Sequence, residues 1–486
     1  MALPEMASQP YQRLQVQCKL SRSITIGVNL MRNTMKAQKW ISSWIAAGLI
    51  GVGIAACSSS GTSPGNSAAA NAAVPTDDQI VSAWDYLYGR YLVLQQENYD
   101  INVEKVGYNK IKYNPLGSAQ FVNPNLDVAY LEAWLAADSD HAVILNVPRV
   151  KGRYYTAELL DGWGEVITNI NERTYPDHPY GKFALVIKGT NPPVPSDAIK
   201  IELPSAKAKL LARVELKGSP KTAVHLQHQF KVQASPDIAI DPPLSVAAFT
   251  PAVPIRAEIF DHVTEVLATY PDAMPKAPEY QAAAINVANY MKGNDGARKR
   301  VDDVIRTKAI PGFLAGAKGF GTQKGGWSVS YVAGKFGNDV MARDIINYGC
   351  LWANAISEAI YFVGLTDSDK QPLDGSKTYE IRFAKGEKPD AHVNGFWSVT
   401  LYSVPDYRVV PNAIHRYNLN NVSHLKANAD GSTSIWLAPV RPKNAPQSNW
   451  LPTPEGKGFS LTFRAYVPKQ EVQQGEWFPA PIMAVQ

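Results

Sequence analysis

Two short clusters in this chain combine carboxylates, amides and aromatics at spacings suited to chemistry. The first reads Asn123-Pro124-Asn125-Leu126-Asp127-Val128-Ala129-Tyr130. Asn125 and Asp127 alternate with apolar positions, so on a strand they share one face, and an inward-facing amide and carboxylate need partners or a ligand. The second reads Leu160-Asp161-Gly162-Trp163-Gly164-Glu165, with two carboxylates flanking an indole on a glycine-bounded turn. That pair could supply a general acid and base while Trp163 stacks on a sugar. The same residues equally suit loop capping by Asp and Asn around a core Trp. The C-terminal half adds Phe396-Trp397-Ser398, Asn412 with Arg416-Tyr417, and Asn449-Trp450-Leu451-Pro452. Arg416 and Arg464 lie among apolar and aromatic residues, where a guanidinium either pairs with a carboxylate or receives an anionic ligand.

Sharper enzyme signatures are missing from the sequence. It has no GxSxG elbow, Walker loop, HExxH, CxxC pair or dinucleotide-binding glycine pattern in the required context, so no cofactor is predicted. His225 and His228 would share a face of a helix, but no carboxylate or third histidine lies beside them, so no metal site is predicted. Of the three cysteines, Cys18 and Cys57 lie near the N-terminus and Cys350 stands alone in an apolar helical stretch. Nothing near Cys350 in sequence would generate a thiolate.

Stepping along the 486 residues, the elements that must hold these groups alternate in type. Thr76-Asp77-Asp78-Gln79 fits a capping box, and Ile80, Trp84, Leu87 and Tyr91 follow at helical spacing. From about 118 to 235, β-rich runs such as HAVILNVP, GRYYTAELLD, KFALVIKG and KLLARVEL predict strands. Helical periodicity takes over from 255 to 362, ending in NDVMARDIINYGCLWANAISEAIYF, and strands return from 378 with KTYEIRFAKG, GFWSVTLYSV, STSIWLAPV and GFSLTFRAYVP. The boundaries predicted are a β domain over 76–250, a helical connecting region over 251–365 and a second β domain over 366–486. No 20- to 50-residue period repeats, which argues against a solenoid or propeller.

Charge is unevenly spread. The whole chain has 48 Lys plus Arg against 43 Asp plus Glu, but Arg13, Lys19, Arg22, Arg32, Lys36 and Lys39 face only Glu5 in residues 1–56. The remainder holds 42 of each sign, and a neutral body without a basic helix is not a nucleic-acid binder. From Met35 the chain reads MKAQKWISSWIAAGLIGVGIAACSSS, two lysines and a short apolar run before Cys57, which is a secretion-signal layout. Residues 35–56 are therefore expected to be a signal peptide, with 1–34 an over-extended start. Ile54-Ala55-Ala56-Cys57 resembles the lipobox of bacterial lipoproteins, which implies an acylated Cys57 and a membrane partner. Ser58 resembles the sorting pattern for the periplasmic side of the outer membrane. Residues 57–75 read as a flexible tether.

Taken in order, NPNLDVAYLEAW, VILNVPRVKGRYYTAELLDGWGEVITN and LLARVEL are similar to the bacterial family of domain of unknown function 1254. GNDVMARDIINYG, NAISEAIYF, GFWSVTLYS, PNAIHRYNL, ADGSTSIWLAP and NWLPTPEGKGFSLTFRAYVP are similar to domain of unknown function 1214 on its C-terminal side. The resemblance implies a mainly β chain with helical segments (α+β), in which two jelly-roll-like β-sandwich domains are linked by a helical region. It implies an Asn-x-Asp-x-x-Tyr pattern at Asn125, Asp127 and Tyr130, a Gly-x-Tyr-Tyr strand at Gly152, Tyr154 and Tyr155, and, on the connecting helix, Arg343, Glu358 and Tyr361. It implies no reaction. The expectation is an exported, lipid-anchored envelope protein with a polar-aromatic pocket for a small molecule or saccharide, and a hydrolase if it is an enzyme. Asp127, Asp161, Glu165 and Glu358 are the candidate acid-base groups; Asn125, Tyr130, Trp163, Arg343, Tyr361, Trp397 and Arg416 are the candidate binding residues. The alternative is a non-catalytic envelope interaction protein.

Overall fold

A computed structural model of the chain describes residues 73–117, 123, 125–250, 252–405 and 407–485. The basic leader, the apolar run and Cys57 lie outside the described residues. The folded body opens on the capping box: Gln79 N–H donates to Thr76 Oγ1 at 3.2 Å and Thr76 N–H to Gln79 Oε1 at 2.9 Å. It starts the helix Asp77–Asn98. Besides Ile80, Trp84, Leu87 and Tyr91, this helix buries Tyr86, Tyr88, Val93 and Leu94, so it is apolar on every side and must be wrapped. The helices Val263–Thr269, Ala277–Met291, Asp295–Val304 and Val340–Cys350 share its core.

Outside this helical layer the strands form two β sandwiches. In the first, a five-stranded sheet has the spatial order Lys112–Tyr113, Val128–Ala136, Lys207–Glu215, Tyr155–Leu160, Val166–Ile170. A four-stranded sheet packs on it, in the order Ala198–Leu203, Gly181–Ile187, Val143–Val147, Lys231–Gln233. Alternate residues such as Leu131, Leu135, Ala157, Leu159, Leu210 and Val214 meet Leu145, Phe183 and Leu185 to fill the space between. The second sandwich pairs a six-stranded sheet, centred on Ala359–Gly364, Phe459–Tyr466 and Trp397–Ser403, with a four-stranded sheet that includes Thr378–Phe383 and Thr433–Ala438. Phe362, Val399, Leu401 and Phe463 meet Ile381, Phe383, Ile435 and Leu437. Pairing is antiparallel except for Gly181–Ile187 with Ala198–Leu203 and Thr433–Ala438 with Trp450–Pro452. The molecule is thus α+β, with its strands in sandwiches.

One element differs from its sequence reading. The helical pattern through NAISEAIYF predicted a helix carrying Glu358 and Tyr361, but the helix stops at Cys350, and Ala359–Gly364 is a strand paired with Phe459–Tyr466. Trp352 turns the chain with φ of 64°, and the run Ile360, Tyr361, Phe362, Val363 is β-branched and aromatic, which favours a half-buried pleated surface over a helix.

The outer face of the five-stranded sheet positions the site. Along Lys207–Glu215, Ala208, Leu210, Ala212 and Val214 point into the sandwich, which leaves Lys207, Lys209, Leu211, Arg213 and Glu215 on the other side. Lys209 is covered near the helical layer, with Nζ 2.9 Å from Asp100 and 2.8 Å from Glu132, over the rings of Trp134 and Trp352. Arg213 is covered by the second sandwich. Among the described residues no helix is long and apolar enough to cross a membrane.

Candidate functional site

The outer faces of the two large sheets meet along a polar seam. The first sandwich presents Tyr130, Thr156, Glu158 and Arg213; the second presents Tyr361, Ser398, Thr400, Tyr402, Arg464 and Tyr466. Most of these are buried, so each ionised group depends on a partner. Glu158 is 0% exposed, and its Oε2 lies 2.5 Å from Arg213 Nη1. Burial pushes the Glu158 carboxyl up and Arg213 opposes it. Burial alone would lower the Arg213 guanidinium, but Glu158 holds it well above its usual range. Arg213 also donates to Asn354 Oδ1 at 3.1 Å and to the Trp352 carbonyl at 3.3 Å, in the segment that leads into the strand Ala359–Gly364.

Several predicted residues do gather here. Asn125 takes the Asp127 N–H on Oδ1 at 2.7 Å and donates its amide to the Tyr466 hydroxyl at 2.6 Å. Asp127 Oδ1 accepts from Asn418 at 2.6 Å and Asn420 at 2.8 Å, so a carboxylate of the first sandwich is held by two amides of the second. Burial raises its pKa, and the amides of Asn420 and Asn418 and the Ser398 hydroxyl work against that rise. Glu358 is chelated by Arg173, with Nε at 3.1 Å and Nη2 at 2.7 Å, and also accepts from Tyr154 at 3.0 Å and Asn171 at 3.1 Å. Tyr361 accepts from Asn354 at 2.5 Å, and the Tyr130 ring lies 5.6 Å from the Arg213 guanidinium. Cys350 has exposed surface, yet its dense surroundings raise the thiol pKa while Arg464 and Arg213 oppose the rise.

The other predicted residues lie elsewhere. Asp161 accepts from the backbone N–H groups of Trp163 at 2.8 Å and Glu165 at 2.9 Å, so it caps its own turn. Burial pushes its carboxyl up to about 6, against those two N–H groups. Burial also raises Glu165, with Lys335 opposing. Trp163 is 0% exposed, covered by Arg343 at 4.5 Å from its ring and bonded to the Tyr270 carbonyl, which leaves no ring face for a sugar. Arg343 is equally buried and pairs with Asp272 at 2.9 Å, so its charge is spent inside the helical layer. Trp397 belongs to the second sandwich core, stacked on Phe463 at 5.7 Å. Arg416 donates to the carbonyls of Gln447 and Trp450 instead of meeting an anion. His225 bonds Gln229 and His228 stacks on Tyr113, and among the described residues no cluster of three His, Cys, Asp or Glu could hold a metal.

Where the seam reaches the surface it opens into a groove with a cavity volume of about 560 Å³. The first sandwich contributes Lys151, Arg153, Tyr154, Arg173 and Lys217 to its walls, and the second contributes Asn394, Gly395 and Val467. The resemblance marks Gly152, Arg153, Tyr154 and Tyr155, but Arg173, Arg213, Glu158 and the other basic residues of the groove were missed. One signal was available: a strand whose off-core positions read Lys, Lys, Leu, Arg, Glu carries more charge than a solvent-facing sheet edge needs, and four of those five side chains bond or pair within the fold.

Comparison with known proteins agrees with this two-part architecture. Residues 106–234 match the family model DUF1254, and residues 358–470 match DUF1214, described as a protein of unknown function, as is the first. No curated protein matches the chain. Among solved structures, the chain is similar to the VPA0106 protein from Vibrio parahaemolyticus, at 21% identity and a TM-score of 0.62, over 84% of this chain and 100% of that one. It is also similar to an uncharacterised protein from Burkholderia cenocepacia, at 14% identity and a TM-score of 0.42, over 84% of this chain and 94% of that one. The first of these supports the fold alone. The chain therefore joins an N-terminal DUF1254 domain to a C-terminal DUF1214 domain, in the order in which its polar clusters run along the sequence.

Proposed function

We propose that this is an exported, lipid-anchored envelope protein that binds a small polar molecule or saccharide in the groove between its two sandwiches. The single observation carrying the binding reading is that groove, whose volume falls within the range of small-molecule sites and whose walls come from both halves of the chain. Export and anchoring rest on the sequence from Met35 to Cys57. Hydrolysis has less support. Asp161 caps its own turn through Oδ1, and both oxygens of Glu358 are already bonded to Arg173, Tyr154 and Asn171.

The test is a thermal-shift screen of saccharides and small metabolites on the full-length protein, repeated on Asn394→Trp. Asn394 is exposed on the groove wall, so the indole would fill the groove without disturbing the core. A ligand present at a hundredfold excess over its Kd should stabilise the parent by about 2.7 kcal/mol and the variant hardly at all. Equal stabilisation of both would remove the groove from consideration, and release of products during the screen would restore the hydrolase reading. For the anchor, Cys57→Ser should move the protein from the detergent phase to the aqueous phase.

A further inference from the structure

Five bases line the groove, Arg149, Lys151, Arg153, Arg173 and Lys217, against two acids, Glu172 and Glu215. The acids are already engaged. Glu172 lies 2.9 Å from Arg173, which also chelates Glu358, and Glu215 accepts the Tyr154 N–H at 2.9 Å. Among the described residues none of Arg149, Lys151, Arg153 and Lys217 has a carboxylate within ion-pair distance. The buried bases Arg213, Arg343 and Lys209, by comparison, are each paired at 2.9 Å or closer. Outside the leader the chain has as many acids as bases, so five bases against two acids around one cavity are a local excess.

Two of these cations, Arg153 and Lys217, are also held in place. Arg153 donates to the carbonyls of Glu215 at 2.8 Å and Leu216 at 3.1 Å, and Lys217 donates to the Gly152 carbonyl at 2.5 Å. The two loops thereby clamp each other, and the guanidinium and ammonium keep further N–H donors free. Lys217 adopts φ of 42°, a left-handed conformation that costs a side-chain-bearing residue energy, next to Gly218 at 69°. Such strain tends to persist at ligand clamps. Beside them the Arg149 guanidinium lies 5.3 Å from the ring of Tyr180, which is 39% exposed.

We infer that the ligand of this groove carries an oxyanion, a carboxylate or a phosphate ester, on a small polyhydroxylated body, and that Lys151, Arg153 and Lys217 receive the charge. This rests on the binding reading above. Guanidinium and ammonium groups together suit both oxyanions, and a cavity of about 560 Å³ suits a body of one or two sugar rings. The same chemistry is offered by a free acidic sugar and by the headgroup of an anionic lipid.

Titration calorimetry on the full-length protein in detergent tests this with five probes: glucose, glucuronate, glucose 6-phosphate, glycerophosphoglycerol and inorganic phosphate. At least one anionic probe should bind about tenfold or more tighter than glucose, and should weaken as salt rises. Tighter binding of the sugar acids points to a free metabolite, and tighter binding of glycerophosphoglycerol to a lipid headgroup. Lys151→Glu should lose about tenfold in affinity for the anion at unchanged melting temperature, and Lys151→Arg should retain it. Glucose binding as well as the anions, with Asn394→Trp abolishing both, would overturn the oxyanion assignment and leave the groove intact. No effect of Lys151→Glu on a bound anion would also overturn it. Absence of binding by every probe at about 10 mM, a concentration that detects millimolar affinity, would overturn both readings.

Discussion

Glu158 has one oxygen on Arg213, and the other finds no hydrogen-bond partner among the described residues, so this carboxylate is tolerated only while the guanidinium is there. Arg213→Met should therefore destabilise the protein by about 3–5 kcal/mol, read from the urea midpoint, and adding Glu158→Gln should recover part of the loss. A loss in the single variant below about 1 kcal/mol would mean that water reaches Glu158. A second side chain decides the Asp161 turn by its size alone. A Cβ on Gly162 would lie 2.3 Å from the Tyr270 ring, which is 1% exposed and cannot step aside. Gly162→Ala should cost about 1–3 kcal/mol in the same measurement. The glycines flanking Trp163 were legible as a turn in the sequence, but Tyr270 pressing on Gly162 was not, because it comes from a helical segment more than a hundred residues away.

The helices Asp77–Asn98 and Val340–Cys350 bring two carboxylates together at their contact. Asp344 accepts the Gly89 N–H at 2.9 Å, and burial first, then Asp85, pushes its carboxyl well above the usual range. Burial pushes Asp85 up to about 7. A carboxyl whose folded pKa exceeds its ordinary 3.8 costs nothing where both states are protonated, and destabilises increasingly as pH rises from about 4 through 7. Asp85→Asn should thus match the parent near pH 4 and melt higher than it at pH 8, as followed by circular dichroism. Glu132, which its salt bridges hold down at about 2 despite burial, works the other way, and only as pH falls below its ordinary 4.5. At this scale the capping box and the strands at 143–147, 155–160 and 207–215 were readable, since local spacing alone specifies them. The Ala359–Gly364 strand was not, because its residues follow a helical pattern and its identity comes from pairing with Phe459–Tyr466.

For the whole molecule, the strand-like runs carried two β regions around a helical one, and the family resemblance carried the sandwiches and the α+β class. Neither could show that one surface is a second interior. The contacts that make it so join residues far apart in the chain: Tyr154 to Glu358, Asn125 to Tyr466, and Asp127 to Asn418 and Asn420. Separating the sandwiches would break these cross-seam bonds at once, so the two should unfold together. Calorimetry is expected to show one transition, with near-ultraviolet and far-ultraviolet signals coincident. Two resolved transitions would mean that the sandwiches are held only loosely.

A hydrophobic contact between domains tolerates small slips, since any oily patch suits another. Here amide must meet carboxylate and hydroxyl must meet amide at fixed positions on both sides. A hybrid built from one half of this protein and the complementary half of a distant relative would set donor against donor, and should fail to mature even though each sandwich keeps its own oily core. Engineers who wish to recombine the two halves will therefore have to transplant the facing polar rows together.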